Sequence, residues 1–186
     1  LNILRIIKNK HKENWENFLK TSTKSSVETI LKSDGIYSIF ENVKGRNMMY
    51  LTSTLHPNHS FHPSYTTWGY LWDLRRDPEP LLNLSVNQLK DVLKKFSPKC
   101  LRVLKTNKAP VVLDKEFALK QKPYSDLDLA TIQKRAKLVR ENENFCKNIQ
   151  IIHREAAEEK AQTKTQEDLL PEETLYEKFI PNKDTA

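Results

Sequence analysis

Glycine is scarce in this sequence, which has only three glycines among 186 residues. A phosphate-binding P-loop and a Gly-x-Gly-x-x-Gly dinucleotide fingerprint each need two or three glycines at fixed spacings, because their backbones approach phosphate groups closely. Neither motif can be written with the glycines present. The sequence therefore excludes both of these phosphate-binding loops.

Cysteines and long apolar segments are also few. Cys100 and Cys146 are isolated, and a lone pair in a chain of this size is typical of free thiols in a reducing compartment. No run approaches the ~18 apolar residues of a membrane helix, and no signal-peptide pattern opens the chain. We therefore expect a cytoplasmic protein with no membrane contact. Because it begins at Leu1 and not at Met, we also expect a piece of a longer chain.

The net charge of +7 is unevenly distributed along the chain. Residues 151–186 contain five Lys/Arg and nine Asp/Glu, whereas the first 150 residues contain 26 Lys/Arg and 15 Asp/Glu, a net charge of +11. A basic body with an acidic end indicates a polyanionic partner for the body. A lysine-rich composition with solvated lysines gives the same charge without such a partner, so charge alone does not decide.

Hydrophobic periodicity divides the chain into helical and extended segments. Apolar residues at helical spacing predict helices at 1–20, 85–96 and 125–162, the last as two helices that meet near residues 142–144. Aromatic and β-branched residues predict about five short strands, which lie at 27–40 (two strands around Asp34-Gly35), 47–55, 67–75 and 101–114 (two strands around 107–109). Residues 163–174 are predicted as a polar loop and 175–179 as a last helical turn. The predicted fold class is α+β, a small antiparallel β-barrel with flanking helices.

Three of the five histidines, His56, His59 and His62, lie three residues apart. On a helix this spacing would place zinc ligands roughly on one side, but Pro57 and Pro63 directly follow two of them, and a residue before proline is displaced from the helical region. We therefore predict an irregular, solvated loop and no metal site. A metal-dependent enzyme built on these histidines is the alternative, and stoichiometric zinc would reveal it. Since an unperturbed imidazole has a pKa near 6.5, the loop would gain positive charge only in mildly acidic solution.

Carboxylates and nucleophiles form no catalytic pattern. A two-metal nuclease needs several carboxylates that converge on ions ~3.5–4 Å apart. The acidic pairs here are Asp114 with Glu116, at the end of a strand, and Asp126 with Asp128, where a helix begins. Capping and the helix dipole explain the second pair. Because neither cysteine has a histidine nearby in sequence, we predict no catalytic residue in this chain.

Basic and aromatic residues cluster on the predicted strands. Lysine and arginine neutralise phosphates, and aromatic faces stack unpaired bases. On alternating strands about half of the aromatic side chains belong to the core, so the pattern also fits an ordinary sheet. The candidate residues for binding single-stranded DNA are Lys44, Arg46, Tyr50, Trp68, Lys105 and Lys108.

Several segments together resemble bacterial exodeoxyribonuclease I. The segment "WDLRRDPEPLLNLSVNQLKDVL" is similar to the central part of that family, in which a strand ending in Asp-Leu precedes a short spacer, Pro-Leu-Leu and a helix. The resemblance continues in "LKTNKAPVVL", where Ala109 replaces the family's cysteine, and in "LVRENENF" and "ETLYEKF". Asn9–Lys12 resembles the junction after the family's nuclease domain, and His56-Pro57 matches its His-Pro turn. In order and spacing, these segments span about residues 8–180.

The resemblance implies a domain organisation and an activity. It implies that residues 1–22 end a nuclease domain, 23–125 form an SH3-like β-barrel, and 126–186 lead into a C-terminal helical domain. The parent enzyme would degrade single-stranded DNA from 3′ to 5′, a role in DNA repair, with Mg²⁺ held by acidic residues outside this segment. This segment would then contain no cofactor and would guide the DNA strand.

The resemblance also implies a protein partner, the acidic C-terminal tail of single-stranded DNA-binding protein. The family's arginine for this contact matches Arg140, whereas a nearby apolar position of the family is Gln133 here. On a helix, Lys137 lies on the same side as Arg140 and Lys134 lies at its edge, so we predict all three as partner-binding residues. The alternative to a nuclease fragment is a stand-alone module that binds nucleic acid or a partner without nuclease activity.

Overall fold

The structure, a computed structural model, describes residues 2–12, 15–16, 19, 23–43, 45–97, 99–108 and 110–163. Its helices are α1 (Asn2–Lys10), α2 (Lys24–Lys32), α3 (Val86–Lys95), α4 (Glu116–Leu119), α5 (Leu129–Glu141) and α6 (Glu143–Thr163). Its strands are β1 (Ile36–Val43), β2 (Arg46–Thr54), β3 (Trp68–Asp73), β4 (Leu101–Lys105) and β5 (Val112–Asp114). In this part of the chain, no helix combines the length and the apolar character needed to cross a membrane.

The strands form one antiparallel sheet of five strands in the order β4-β3-β2-β1-β5. β1 and β2 are a hairpin in which Val43 pairs with Arg46, and Gly45 at its tip has a φ of +79°, a conformation that favours glycine. β4 and β5 lie at opposite edges and do not pair within the described residues, so the sheet is open. The predicted α+β fold with about five antiparallel strands is confirmed, whereas closure into a barrel is not.

The open sheet is bent strongly toward one face. Arg102 lies in β4, which is separated from β1 by two strands. Its Nη1 nevertheless donates to Oε2 of Glu41 in β1 at 2.9 Å, and its guanidinium carbon lies 3.5 Å from the ring centroid of Tyr50 in β2. These contacts require the β1–β2 hairpin to curl toward β4. The bend encloses a small core, which comprises Val27, Leu31, Ile39, Tyr50, Leu71, Leu104 and Val112.

Helices cover both faces of the sheet. α2 packs against the small core so closely that a β-carbon at Gly69 would overlap the Leu31 side chain. On the opposite face, Trp72 is fully buried and meets the Phe145 ring of α6 edge-on at 5.4 Å between centroids. This larger core joins the sheet to α5 and α6 through Leu51, Leu55, Tyr70, Ile132, Ala136, Val139 and Ile149.

Buried polar contacts fix the end of β3 against the following segments. Asp73 is fully buried and accepts hydrogen bonds from Oη of Tyr124 at 2.7 Å and from Nη2 of Arg75 at 2.9 Å. Nη1 of Arg135 in α5 donates to the carbonyl of Leu74 at 2.9 Å. A buried carboxylate is stable only with such partners. The Arg135 hydrogen bond holds α5 in register with the end of β3.

The main error in the predicted elements is at residues 27–31, which belong to α2 and not to a strand. Oγ1 of Thr23 accepts the backbone N–H of Ser26 at 3.2 Å and caps the helix, as Thr commonly does. Val27 and Leu31 are both fully buried, and their spacing of four places them on one helical face. The β-branched composition of this segment favoured a strand, but packing against β3 stabilises the helix.

The helices predicted at 85–96 and 125–162 agree with the structure. Ser85 and Gln88 form a capping box at the start of α3, and α5 and α6 meet at Asn142, as predicted for 125–162. The long helix predicted at 1–20 is described as α1 over Asn2–Lys10. The predictions for 164–179 lie outside the described residues.

Candidate nucleic-acid interface

Trp68, Tyr65 and Lys105 form a half-exposed cluster at one end of the sheet. Trp68 begins β3 and lies directly opposite Lys105, the last residue of β4. Nζ of Lys105 lies 4.3 Å from the Trp68 ring centroid. The Tyr65 ring lies 4.7 Å from the Trp68 ring at an angle of 33°, and Tyr65 is 45% exposed. The exposed Tyr65 ring, together with the nearby lysine, fits an unpaired base and its phosphate.

Lys108 ends the 3-10 turn that follows Lys105. The 3-10 turn Thr106–Lys108 follows β4 directly, and the backbone N–H of Thr106 donates to the Thr67 carbonyl at 2.8 Å. Among the ion pairs of the described residues, none involves Lys105 or Lys108, and both are exposed. We call Tyr65, Trp68, Lys105 and Lys108 the Trp68 surface.

Two histidines, His62 and His153, pack beneath the Trp68 surface. His62 is 4% exposed, and its Nδ1 accepts the backbone N–H groups of Ser64 at 3.0 Å and Tyr65 at 3.2 Å. Its ring packs edge-on against Trp68 at 5.6 Å and against His153 of α6 at 5.8 Å. Burial lowers the pKa of His62 and lowers the pKa of His153 to about 4. Burial therefore makes His62 harder to protonate than the unperturbed imidazole that the sequence led us to expect.

The other predicted DNA-binding residues lie elsewhere. Arg46 is exposed at the tip of the β1–β2 hairpin, and Lys44 lies outside the described residues. Tyr50 is only 2% exposed, since the Arg102 guanidinium covers its ring. Tyr50 belongs to the small core, as does Leu71 of β3. Side chains alternate between the two faces of a strand, so Trp68, three residues before Leu71, projects from the opposite face. The candidates thus divide between two faces, and Tyr50 offers no open ring to a base.

Tyr65 was not among the predicted site residues. The sequence places it in a polar loop after the histidines, where nothing in the local pattern indicates contact with a strand. The contact arises because the backbone N–H of Trp68 donates to the Tyr65 carbonyl at 2.9 Å, which folds the loop back onto the ring. Pro63 and Ser64 signal a turn before the strand, but they do not show which ring the turn brings against Trp68.

The three predicted partner-binding residues each contact a different acceptor. Nη1 of Arg140, near the end of α5, donates to the Asp34 carbonyl. Nζ of Lys134 lies 2.7 Å from Oε2 of Glu79, and this hydrogen bond raises the pKa of the lysine. Lys137 is paired with the glutamate that follows it by one helical turn, at 3.8 Å. Ion pairs as exposed as these contribute little to stability, so a ligand can replace them.

A groove of about 490 Å³ lies beside Arg140. Lys115 and Gln133 line it together with the carboxylate residues Asp34, Asp114 and Glu116. The groove therefore presents more carboxylates than cations. We call this site the Arg140 groove.

The described residues hold no constellation of a two-metal nuclease. Asp128 caps α5 by accepting the backbone N–H of Thr131 at 2.7 Å, which confirms the capping interpretation. In the described part of the chain, one group of three His, Cys, Asp or Glu side chains has ligand atoms within 4.8 Å of one another, and it comprises His56, His59 and Glu143. Cys100 and Cys146 are free and buried, and burial raises the pKa of each thiol to about 11, so neither is a ready nucleophile.

Solved structures of exonuclease I are similar to this fold. An exonuclease I from Methylocaldum szegediense has a TM-score of 0.64 at 16% identity, over 82% of this chain and 34% of that chain. E. coli exonuclease I in complex with a 5cy-dA13 oligonucleotide has a TM-score of 0.64 at 15% identity, over 97% of this chain and 39% of that chain. A structure of SSB/exonuclease I in complex with an inhibitor has a TM-score of 0.57 at 16% identity, over 80% and 33%.

At these identities the likeness shows a shared fold. No protein-family model matches the chain, and neither does any curated protein sequence. The chain spans about a third of the length of the exonuclease I chains that it matches. The resemblance to exonuclease I that the sequence motifs indicated is thus confirmed in the fold.

Proposed function

We propose that this chain is the middle part of an exodeoxyribonuclease I, a 3′→5′ exonuclease of single-stranded DNA. In this proposal residues 1–22 end the nuclease domain, 23–125 correspond to its SH3-like barrel, and 126–186 begin its helical domain. The bent sheet supports the middle assignment, because the β1–β2 hairpin curls toward β4 as it would in a barrel. The shared fold with exonuclease I supports the assignment as a whole.

The segment itself guides single-stranded DNA along the Trp68 surface. This surface carries the proposal, because it combines an exposed aromatic ring with lysines that pair with no carboxylate among the described residues. A base stacked on such a ring contributes ~1–3 kcal/mol, and each neutralised phosphate adds a salt-dependent attraction. Stacking tolerates every base, which suits a strand guide that must accept any sequence.

Hydrolysis belongs to the part of the parent chain outside this segment. The parent enzyme would cleave phosphodiester bonds in the cytoplasm with Mg²⁺ in its nuclease domain, where paired ions stabilise the attacking and leaving oxygens. The acidic residues described here do not converge on such a site. The role of this segment is then to deliver the strand.

The second proposed role is to dock the C-terminal tail of single-stranded DNA-binding protein at Arg140. A guanidinium can hold both oxygens of a terminal carboxylate, and Lys134 and Lys137 can release their exposed glutamates for acidic residues of the tail. The carboxylates of the Arg140 groove oppose this binding. The site therefore favours a ligand whose terminal carboxylate reaches the guanidinium directly.

The alternative is a stand-alone module that binds DNA or a partner and has no nuclease attached. The lack of a catalytic constellation in the described residues fits this alternative equally well. The reading frame upstream of Leu1 separates the two, because only the nuclease fragment requires an acidic-motif nuclease domain there.

The purified segment should bind but not degrade labelled single-stranded DNA in the presence of Mg²⁺. Intact DNA after long incubation, with binding retained, is the expected outcome. Degradation that persists through purification and disappears in Asp114→Asn or Glu116→Gln variants would show a catalytic site here and overturn the proposal.

A further inference from the structure

Two of the loop histidines meet a glutamate of α6. His56 directly precedes the 3-10 turn Pro57–His59. The turn places the centroid of the His56 ring 5.8 Å from the centroid of the His59 ring. Glu143 is the first residue of α6, and its Oε1 lies 3.3 Å from Nε2 of His59. One ligand atom from each of the three side chains lies within 4.8 Å of the others. His62, in contrast, directs its Nδ1 to backbone N–H groups.

Hydrogen bonds around His59 determine where its proton lies. Nε2 of Gln150 donates to the Phe61 carbonyl at 2.9 Å, which fixes the orientation of the amide. Oε1 of Gln150 must then accept from Nδ1 of His59, 2.8 Å away. Nδ1 therefore carries the proton, and Nε2 of the neutral ring presents a lone pair to the Glu143 carboxylate. Two facing acceptors need a cation between them, either a second proton or a metal ion.

We propose that His56, His59 and Glu143 bind a divalent transition metal ion of the zinc class. Two imidazole nitrogens and one carboxylate oxygen are a common ligand set for zinc, and they leave a fourth position for water or a further ligand. Metal-bound histidines usually donate their other ring N–H to a carbonyl or carboxylate, the role that Gln150 has for His59. This site is independent of the proposed nuclease function.

The other two ligands are compatible with metal entry. Nδ1 of His56 accepts the backbone N–H of Asn58 at 3.3 Å. Metal binding breaks this long hydrogen bond, because Nδ1 either coordinates the ion itself or carries the proton while Nε2 coordinates. The Glu143 side chain is 57% exposed, so an ion can reach the site from solvent. The His59 side chain is only 15% exposed, and Gln150 holds its ring in place.

The metal would connect the β2–β3 loop to α6. The same loop leads to Tyr65 and Trp68, so an ion at its start restrains the segment that presents the Trp68 surface. Metal binding should therefore raise the melting temperature of the protein, because a ligand that binds only the folded state stabilises it.

The test is calorimetric titration of the whole chain, without a histidine tag and stripped with chelator, with zinc chloride. We expect one zinc ion per chain and an increased melting temperature. His59→Gln and Glu143→Gln should abolish stoichiometric binding, and Gln150→Leu should weaken it by about 10- to 100-fold. The matched controls His11→Gln and Glu141→Gln, which change an exposed histidine and a neighbouring glutamate, should bind as the original chain does.

A further control addresses the thiol nearest the site. The Cys146 sulfur accepts the backbone N–H of His56 at 3.5 Å, and Cys146→Ser should leave zinc binding unchanged. The absence of stoichiometric zinc would overturn the proposal and leave a protonated His59–Glu143 pair. Binding that survives in the exposed Glu143→Gln variant, or that is lost in Cys146→Ser, would also overturn it.

Discussion

The Trp68 surface and the part of α5 beside the Arg140 groove both contain basic residues that the sequence predicted as binding residues, but their charges have different surroundings. At the Trp68 surface, the Lys105 ammonium lies over an aromatic ring, and within the described residues no carboxylate pairs with it. On α5, Lys134 and Lys137 each pair with a glutamate. Three carboxylate residues line the Arg140 groove. One region is free to attract a polyanion, whereas the other is close to neutral.

The difference shows that basic residues in a sequence do not by themselves define a basic surface. Glu79 is 55 residues from Lys134, and Asp34 is 106 residues from Arg140. Such partners become visible only when the chain is folded. We therefore expect DNA to prefer the Trp68 surface, and the Arg140 groove to accept only ligands that use the directed geometry of the guanidinium.

The largest expected effect concerns Arg140. A peptide that ends in an acidic residue followed by an aromatic residue with a free carboxylate should bind with micromolar affinity, about −8 kcal/mol. Arg140→Ala should lose about 1.5–3 kcal/mol of this affinity, the usual contribution of a hydrogen bond to a charged group. Arg140→Lys should also lose much of it, because it keeps the charge without the two-pronged geometry. Isothermal titration measures these affinities.

The control for this prediction is the same peptide with an amidated C-terminus. If the free and amidated peptides bind equally, or if Arg140→Ala is indifferent, Arg140 is ordinary surface. The docking role would then be lost, while the role of the Trp68 surface in DNA guidance would be unaffected.

The next effect concerns His153, the histidine that packs beneath the Trp68 surface. Burial lowers the pKa of His153 to about 4, below the ~6.5 of an unfolded histidine. Its contribution to stability is therefore complete above pH 6.5 and is lost as the pH falls toward 4, because the unfolded chain takes up the proton first. Allowing for solvent screening, the free energy of unfolding should fall by about 1–2 kcal/mol between pH 7.5 and pH 5.

Urea unfolding at the two pH values measures this difference. His153→Phe should reduce the fall, since no buried imidazole remains at that position. His11→Gln, which changes an exposed histidine, is the control and should leave it unchanged. An unaltered pH dependence in His153→Phe would show that this histidine is not held neutral beneath the Trp68 surface.

The smallest effect tests whether the carboxylates of the Arg140 groove offset its positive charge. Asp114→Asn removes one of its carboxylates and should strengthen binding of the acidic peptide by about two- to fivefold, as expected for an exposed charge pair. The same variant should not change affinity for DNA at the Trp68 surface. Weaker peptide binding in Asp114→Asn would contradict the electrostatic contrast between the two regions.

Much of the fold follows from local patterns in the sequence. The hairpin of β1 and β2 and the capped helix α3 depend on alternation, a Gly turn and a capping box, which are all local signals. The helix at Val27–Leu31 was missed because β-branched residues favour strands, whereas its burial depends on close approach to Gly69 of β3. Long-range packing overrides local propensity there.

The candidate site was less predictable than the fold. The pairing of Trp68 with Lys105 is consistent with both being predicted as DNA-binding residues, but Tyr50 is covered by an arginine 52 positions later in the sequence. The meeting of His59 with Glu143 and Gln150 depends on how α6 packs against the β2–β3 loop. No local spacing encodes that contact, so the sequence indicated only a solvated loop.

The most direct test of the central claim is the affinity for a short labelled single-stranded DNA across a series of salt concentrations, measured by fluorescence anisotropy. We expect the affinity to fall steeply with salt, and Lys105→Gln to flatten the log–log slope by about 0.7. Tyr65→Ala should weaken binding by ~1–3 kcal/mol without changing the slope. Phe40→Ala, which removes an exposed aromatic ring of the β1–β2 hairpin, should have no effect. Affinity that is independent of salt, or equal losses in Tyr65→Ala and Phe40→Ala, would contradict the claim that the Trp68 surface guides single-stranded DNA.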